Sequence, residues 1–154
     1  MEQLFNQLSE KLLKSLDADE HMKVSINGEN SQFVRFSQSK VRQAGLVDDT
    51  SLSISLIKDG RTCSGSFTLT GNSETDEKTA YMELERMREE VVSLPKDPFV
   101  VLPEDTGSSR EDRNGSLLSQ ENAVFALSPS MQGVDLAGIW ASGRIFTGNA
   151  NSAG

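Results

Sequence analysis

Leu4, Phe5, Leu8, Leu12 and Leu16 recur at spacings of three and four. Such spacing winds one apolar stripe along a helix, here over residues 1–16, with Glu10, Lys11 and Lys14 on the other side. The poor helix formers Asp17-Ala18-Asp19-Glu20 end it. From Met22 the period changes to two. Met22, Val24 and Ile26 alternate with Lys23, Ser25 and Asn27, which predicts a half-buried strand closed by Asn27-Gly28. Phe33–Phe36 and Val41–Leu46 read as two further strands with a turn at Ser37-Gln38-Ser39. Leu52, Ile54 and Leu56 then alternate with Ser51, Ser53 and Ser55, and Asp59-Gly60 comes directly after Lys58. Asp-Gly is a favoured two-residue hairpin turn because both positions need positive φ. Arg61–Leu69 alternates again, with Cys63, Gly65, Phe67 and Leu69 on one face.

A second helix is predicted over residues 75–94, capped by Thr75 and stopped by Pro95. Asp76 and Glu77 favour its positive end. Ala80, Leu84, Met87, Val91 and Leu94 make its buried stripe, and Glu83, Glu85, Arg86 and Glu90 its solvated face. Pro95, Pro98 and Pro103 punctuate the stretch after this helix, and residues 104–115 are almost wholly polar. A weaker helix is expected over Ser119–Leu127. A hairpin is expected at the end, Leu136–Ala141 and Arg144–Thr147, turning at Ser142-Gly143 and apolar on both faces. Strands cluster between helices instead of alternating with them. The fold class is therefore α+β: an antiparallel or mixed sheet of about five strands, two main helices, and a C-terminal helix and hairpin. Read in chain order, residues 1–98 form an N-terminal domain, 99–115 a polar linker, and 116–154 the start of a second region.

The chain has 154 residues, enough for a core without a disulfide or metal staple. With 15 basic and 23 acidic residues its net charge is −8. Free DNA or an anionic membrane would meet net repulsion, so neither nucleic acid nor membrane is an expected partner. No apolar run is long enough for a membrane helix, and the amphipathic N-terminus has no secretion-signal pattern. The lone Cys63 admits no intrachain disulfide and suits a reducing cytoplasm.

The chemistry on offer is sparse. His21 is the only histidine, and Asp17, Asp19 and Glu20 beside it read as a solvated turn; a transition-metal site wants further imidazole or thiolate ligands. Cys63 lacks a nearby base and shares a face with Phe67 and Leu69, so it reads as core. Residues 60–65 have the glycine spacing of a phosphate loop without the lysine or the helix that it needs. Arg35 and Arg42 flank the Ser37-Gln38-Ser39 turn, where a tight hairpin could bring them together to hold a carboxylate, or leave them as edge-strand charges.

Three segments carry a resemblance. Phe33-Val34-Arg35-Phe36-Ser37-Gln38-Ser39-Lys40-Val41-Arg42-Gln43 resembles the N-terminal hairpin of the TldD/PmbA family, proteins labelled modulators of DNA gyrase. Leu56–Arg61 followed by Ser64-Gly65-Ser66 is similar to the family's next strand pair. Asp135–Gly143 with Asn149-Ala150-Asn151-Ser152 is similar to a later segment, and Pro95-Lys96-Asp97-Pro98-Phe99 falls at the family's Asp-Pro-aromatic step. Asn149 and Asn151 thereby join Arg35 and Arg42 as candidate interaction residues.

The resemblance implies strands and two helices leading into a second domain. It also implies two-subunit assemblies, as homodimers or heterodimers of family members, that cleave unfolded peptides in an internal cavity. The zinc of catalytic members is held by H-E-x-x-x-H in their C-terminal half, and some members lack that motif. No H-E-x-x-x-H occurs in these 154 residues, so no catalytic, cofactor or metal residue is carried over. The expected role is a structural and assembly domain of a peptidase system. The rivals are a stand-alone cytosolic protein-interaction domain and a small hydrolase whose site the sequence does not display.

Overall fold

The computed structural model describes residues 1–105 and 107–153; Thr106 of the expected linker and Gly154 lie outside the described residues. The elements run α1 (Glu2–Lys14), β1 (Glu20–Ser37), β2 (Lys40–Lys58), β3 (Arg61–Thr68), α2 (Ser73–Val91), α3 (Gln120–Leu127) and β4 (Gly138–Asn151), with a 3-10 turn at Ser128–Met131. The strands form one sheet in the order β3-β2-β1-β4. The architecture is α+β, with four long strands where about five shorter ones and a terminal hairpin were expected.

Two glycines explain that difference. Asn27-Gly28 has turn composition but lies inside β1, and Ser142-Gly143 lies inside β4. Neither glycine has positive φ. Both allow close approach. A Cβ on Gly28 would sit 2.4 Å from Met1 Sδ, and one on Gly143 would sit 2.4 Å from Ser31 Cα and 2.5 Å from Asn30 O. The expected C-terminal hairpin is therefore a single strand. Val41–Leu46 and residues 51–58 likewise join into one strand, β2, since Asp48-Asp49-Thr50 makes no turn.

The Asp59-Gly60 turn forms as expected, with φ of 50° and 70°. It sets Lys58 opposite Arg61, and the β2–β3 register runs from there to Ser51 opposite Thr68. Helix α2 starts two residues earlier than expected and ends at Val91. Its cap is Asn72, whose side chain accepts from Thr75 N at 3.0 Å. Asp76 is buried in the first turn. It accepts from Thr70 N at 2.7 Å, Thr70 Oγ1 at 2.8 Å and Gly71 N at 3.0 Å.

The chain divides into two compact units. Unit 1 comprises residues 1–28, 50–110 and 146–154; unit 2 comprises residues 29–49 and 111–145. The domains read from the sequence followed chain order, whereas β1, β2 and β4 each pass from one unit into the other. Unit 1 holds the main core. Phe5, Leu8 and Leu12 of α1 and Ala80, Leu84, Met87 and Val91 of α2 cover Met22, Val24, Ile26, Leu52, Ile54 and Leu56 of the sheet. The predicted apolar stripes are thus the buried ones, apart from Leu4, Leu16 and Leu94, which are partly buried.

Beside this core lies a buried charge that the sequence reading placed in a solvated turn. Glu20 is 4% exposed. Its carboxylate accepts from Arg88 Nε at 3.1 Å and Nη2 at 2.7 Å, from Lys58 Nζ at 3.2 Å and from Asp17 N at 3.1 Å. Arg88 Nη2 also donates to Ser15 O at 2.8 Å, just past the end of α1. Burial alone would push the Glu20 carboxyl up; the bonds from Arg88, Asp17 N and Lys58 outweigh it and hold the carboxyl below the ordinary glutamate range.

In unit 2, α3 is capped by Ser119, which accepts from Asn122 N. Gln120 donates from Nε2 to Gly45 O at 2.7 Å, and its N–H donates to Gln32 Oε1 at 3.1 Å. Val34, Phe36 and Ala123 are buried.

Gly60→Val should destabilise the protein by about 1 kcal/mol or more, because a β-branched residue is strained at positive φ. A denaturant midpoint unchanged by the substitution would contradict this. Glu20→Gln should cost about 3 kcal/mol at neutral pH, since it leaves Arg88 and Lys58 facing an uncharged buried group. The Glu20 pKa is depressed in the folded state, so its stabilisation is full above the ordinary carboxyl value and is lost as pH falls through the folded value. Melting curves of the two proteins should therefore converge in the acid window below the ordinary glutamate value. Parallel curves across that window would show that Glu20 is not the group responsible.

Candidate functional site

The residues singled out from the sequence fall in two places. Arg35 and Arg42 lie in unit 2, each two residues from a turn whose central residues are Gln38 and Ser39. The two-residue turn sets them across from one another on the β1–β2 pair. Both are exposed, and among the described residues no ion pair engages either.

The turn itself is unusual. Gln38 and Ser39 have φ of 51° and 55° without a glycine, a conformation that costs of order 1 kcal/mol per residue unless its surroundings enforce it. Ser39 supplies the enforcement. Its N–H donates to Leu136 O at 3.0 Å, its hydroxyl donates to Val134 O at 2.6 Å, and that hydroxyl accepts from Leu136 N at 2.9 Å. The sequence reading located the turn but missed this latch. No local pattern announces it, because the partners lie 95 and 97 residues away.

Asn149 and Asn151 lie on the part of β4 in unit 1. Asn149 Oδ1 accepts from Ser25 Oγ at 2.8 Å, and Asn151 Oδ1 accepts from Ala153 N at 2.8 Å. The structure therefore brings Arg35 together with Arg42, and separately places both asparagines in internal hydrogen bonds.

Ser25 belongs to a hydroxyl-covered patch of the sheet in unit 1. The alternation that buries Leu52, Ile54 and Leu56 turns Ser53 and Ser55 the other way. The register sets them opposite Ser66 and Ser64. Ser53 Oγ donates to Ser66 Oγ at 3.1 Å, and Ser64 Oγ donates to Ser55 Oγ at 3.3 Å. Lys23 joins Ser25 and these four serines around a shallow depression of about 380 Å³. It offers hydrogen-bond donors and acceptors and one amine. Such a lining makes a polar surface on this face of the sheet.

The remaining candidates are structural. Cys63 is buried opposite Leu56. Its thiol is pushed above the ordinary range by burial and then by the Glu90 carboxylate, the opposite of what a nucleophile needs. Residues 60–65 form the Gly60 turn and the start of β3. His21 lies in β1, and among the described residues no three His, Cys, Asp or Glu side chains are grouped to hold a metal ion. No described helix is long and apolar enough to cross a membrane.

No protein-family model matches the chain. No curated protein matches it. Solved structures do. A proposed modulator of DNA gyrase from Thermotoga maritima aligns over 99% of this chain at 15% identity with a TM-score of 0.62. The fold is shared with TldE. That protein, from Thermococcus kodakarensis, aligns over 98% of the chain at 16% identity with a TM-score of 0.56. A further proposed gyrase modulator, from Bacteroides thetaiotaomicron, aligns over 99% at 17% identity with a TM-score of 0.61. The chain spans 35–37% of the length of these three neighbours. The fold implied by the hairpin and strand segments of the sequence is thus the fold observed, and its extent fits an N-terminal region.

Ser39→Ala should destabilise unit 2 by about 1–2 kcal/mol, since two bonds to the Val134–Leu136 backbone are lost. Amides 134–136 should then exchange faster in hydrogen exchange. Gln38→Gly should act the other way, gaining a few tenths of a kcal/mol to about 1 kcal/mol by removing strain. Equal exchange in all three proteins would mean that the turn does not depend on its latch.

Proposed function

We propose that this chain is the N-terminal structural and assembly domain of a TldD/PmbA-like protein, part of a peptidase system acting on unfolded peptides, with no catalytic site of its own. The observation that carries this reading is the likeness of nearly the whole chain to TldE and to the gyrase-modulator structures. The order of the resembling sequence segments supports it. So does the chemistry present. A zinc site of the H-E-x-x-x-H kind takes two histidines one helical turn apart and a glutamate base, and His21 is the chain's single histidine. The residues here do not fit the metal.

In this reading the chain supplies a scaffold. Unit 1 is a packed layer of helices on a sheet, and unit 2 presents the Arg35–Arg42 hairpin and much apolar surface, both suited to contact with a further domain or with a family partner as homodimer or heterodimer. The lone, buried Cys63 suits a reducing compartment such as the cytoplasm.

The test is peptidase activity. The product of the whole gene should cleave an unfolded substrate such as reduced, denatured casein, and a chelator should abolish the cleavage. This chain alone should cleave nothing, and should take up no stoichiometric zinc at micromolar concentration. Hydrolysis by the chain alone, or zinc uptake that His21→Ala removes, would overturn the assignment of a non-catalytic role. A whole-gene product that is inert toward peptides with and without zinc, alone or mixed with a family partner, would overturn the peptidase link.

A further inference from the structure

Three dipeptides of the chain place glycine directly after Asn or Asp: Asn27-Gly28, Asp59-Gly60 and Asn114-Gly115. In such a pair the glycine nitrogen can attack the preceding side-chain Cγ and close a five-membered imide ring. Closure needs a side chain free to swing onto the backbone and a ψ that neither helix nor strand uses. It also needs a nitrogen that no Cβ of its own residue shields, which is why glycine is the reactive follower.

The structure blocks two of the three. Asn27-Gly28 lies inside β1, where the backbone is held extended and Gly28 is buried against Met1 and Thr50. Asp59 is clamped by charge: Lys96 Nζ donates to its Oδ1 at 2.6 Å, and Arg61 donates to its Oδ2. Lys96 and then Arg61 hold that carboxyl below the ordinary aspartate range, and an ionised carboxylate is a poor electrophile. Asn114-Gly115 carries none of these restraints. Both residues are exposed and belong to no helix or strand. A Cβ on Gly115 would meet nothing within 4 Å, and among the described residues no hydrogen bond engages the Asn114 side chain or Gly115 N.

We propose that Asn114 is a site of spontaneous covalent modification, the one pair of the three at which the folded chain deamidates and isomerises. Gly115 N bonds to Asn114 Cγ, the Cγ–Nδ2 bond breaks, and the proton of Gly115 N leaves with Nδ2 as ammonia. Water then opens the imide at either carbonyl. One opening leaves aspartate at position 114. The other leaves isoaspartate, whose main chain runs through the side-chain carbons. Either product adds a negative charge beside Glu111 and Asp112, in a chain whose net charge is already −8. Isoaspartate also lengthens the backbone of the segment between α2 and α3, and no buried side chain is involved. The isoaspartyl carboxyl is a methyl acceptor for carboxyl methyltransferases that use S-adenosylmethionine, so the aged chain is a substrate for that class of enzyme. The inference rests on the folded chain alone and holds whether or not the peptidase reading does.

The folded full chain is incubated at neutral pH and body temperature. Peptide mapping by mass spectrometry then locates the amide lost, and methyl uptake from labelled S-adenosylmethionine with an isoaspartyl methyltransferase detects isoaspartate. Conversion is expected at Asn114, and faster as pH rises, because the attacking nitrogen must lose its proton. Asn27 should convert about tenfold more slowly or less, since its reaction requires local opening of β1. Gly115→Ala should slow conversion at position 114 about tenfold or more, because a Cβ restricts the backbone and shields the nitrogen. In denaturant strong enough to unfold the chain, Asn27 and Asn114 should react at similar rates, so that the difference between them belongs to the fold. Conversion at Asn27 or Asp59 of the folded chain as fast as at Asn114 overturns the proposal. An Asn114 that keeps its amide in the folded chain while the unfolded chain converts, or a Gly115→Ala chain that converts unslowed, overturns it as well.

Discussion

The carboxylate of Glu20, at the start of β1, has no exposed surface and ties together α2, the end of β2 and the turn after α1. Arg88 comes from α2, Lys58 from the end of β2, Asp17 N from the turn after α1, and Ser15 O from the end of that helix through Arg88. Hydrophobic burial is non-directional, so the leucines and methionines of the two helices tolerate several ways of sliding over the sheet. A buried carboxylate gripped by a guanidinium tolerates few, because a misplaced charge has no water to fall back on. The apolar layer makes unit 1 stable, and the Glu20 cluster fixes which arrangement of that layer is reached.

Unit 2 is built differently. Its buried apolar side chains are Val34, Phe36 and Ala123, while Val41, Leu46, Leu117, Leu118, Phe125, Val134, Ile139 and Ile145 are exposed. Its order relies on polar clamps: Gln120 on Gly45 and Gln32, and Ser39 on Val134 and Leu136. Clamps of this kind hold geometry but bury little area, which leaves apolar surface available for contact. Charge is distributed unevenly as well. Arg35, Lys40 and Arg42 stand together with no acidic residue between Glu29 and Asp48, in a chain whose net charge is −8.

What could be read from the sequence was what local rules govern. The helical stripes of α1 and α2, the alternation through Leu52–Leu56 and the Asp59-Gly60 turn each depend on neighbours a few residues away, and each is present. The serine patch follows from the same alternation seen from its other side. Asn27-Gly28 and Ser142-Gly143 misled because glycine has two uses: φ freedom, which a dipeptide advertises, and close approach, which depends on Met1 and Ser31 elsewhere in the chain. Glu20 misled for a related reason. A glutamate among aspartates reads as solvated until an arginine 68 residues on is seen to reach it. The Ser37-Gln38-Ser39 turn between Arg35 and Arg42 was legible because a hairpin turn is local.

The two tight turns of the β1–β2–β3 meander differ in a way that bears on the order in which the chain folds. Asp59-Gly60 carries its own conformational preference, so the β2–β3 hairpin can form on a microsecond scale from local sequence alone. Gln38-Ser39 opposes its own preference and is held by groups 95 and 97 residues downstream. Until Val134 and Leu136 arrive, that tip has little reason to stay in register, and closing so long a loop is entropically costly. The β2–β3 end of the sheet is therefore the natural starting point, and the β1–β2 tip is among the last features to lock. During synthesis on the ribosome, the tip must wait for Val134 and Leu136 to emerge.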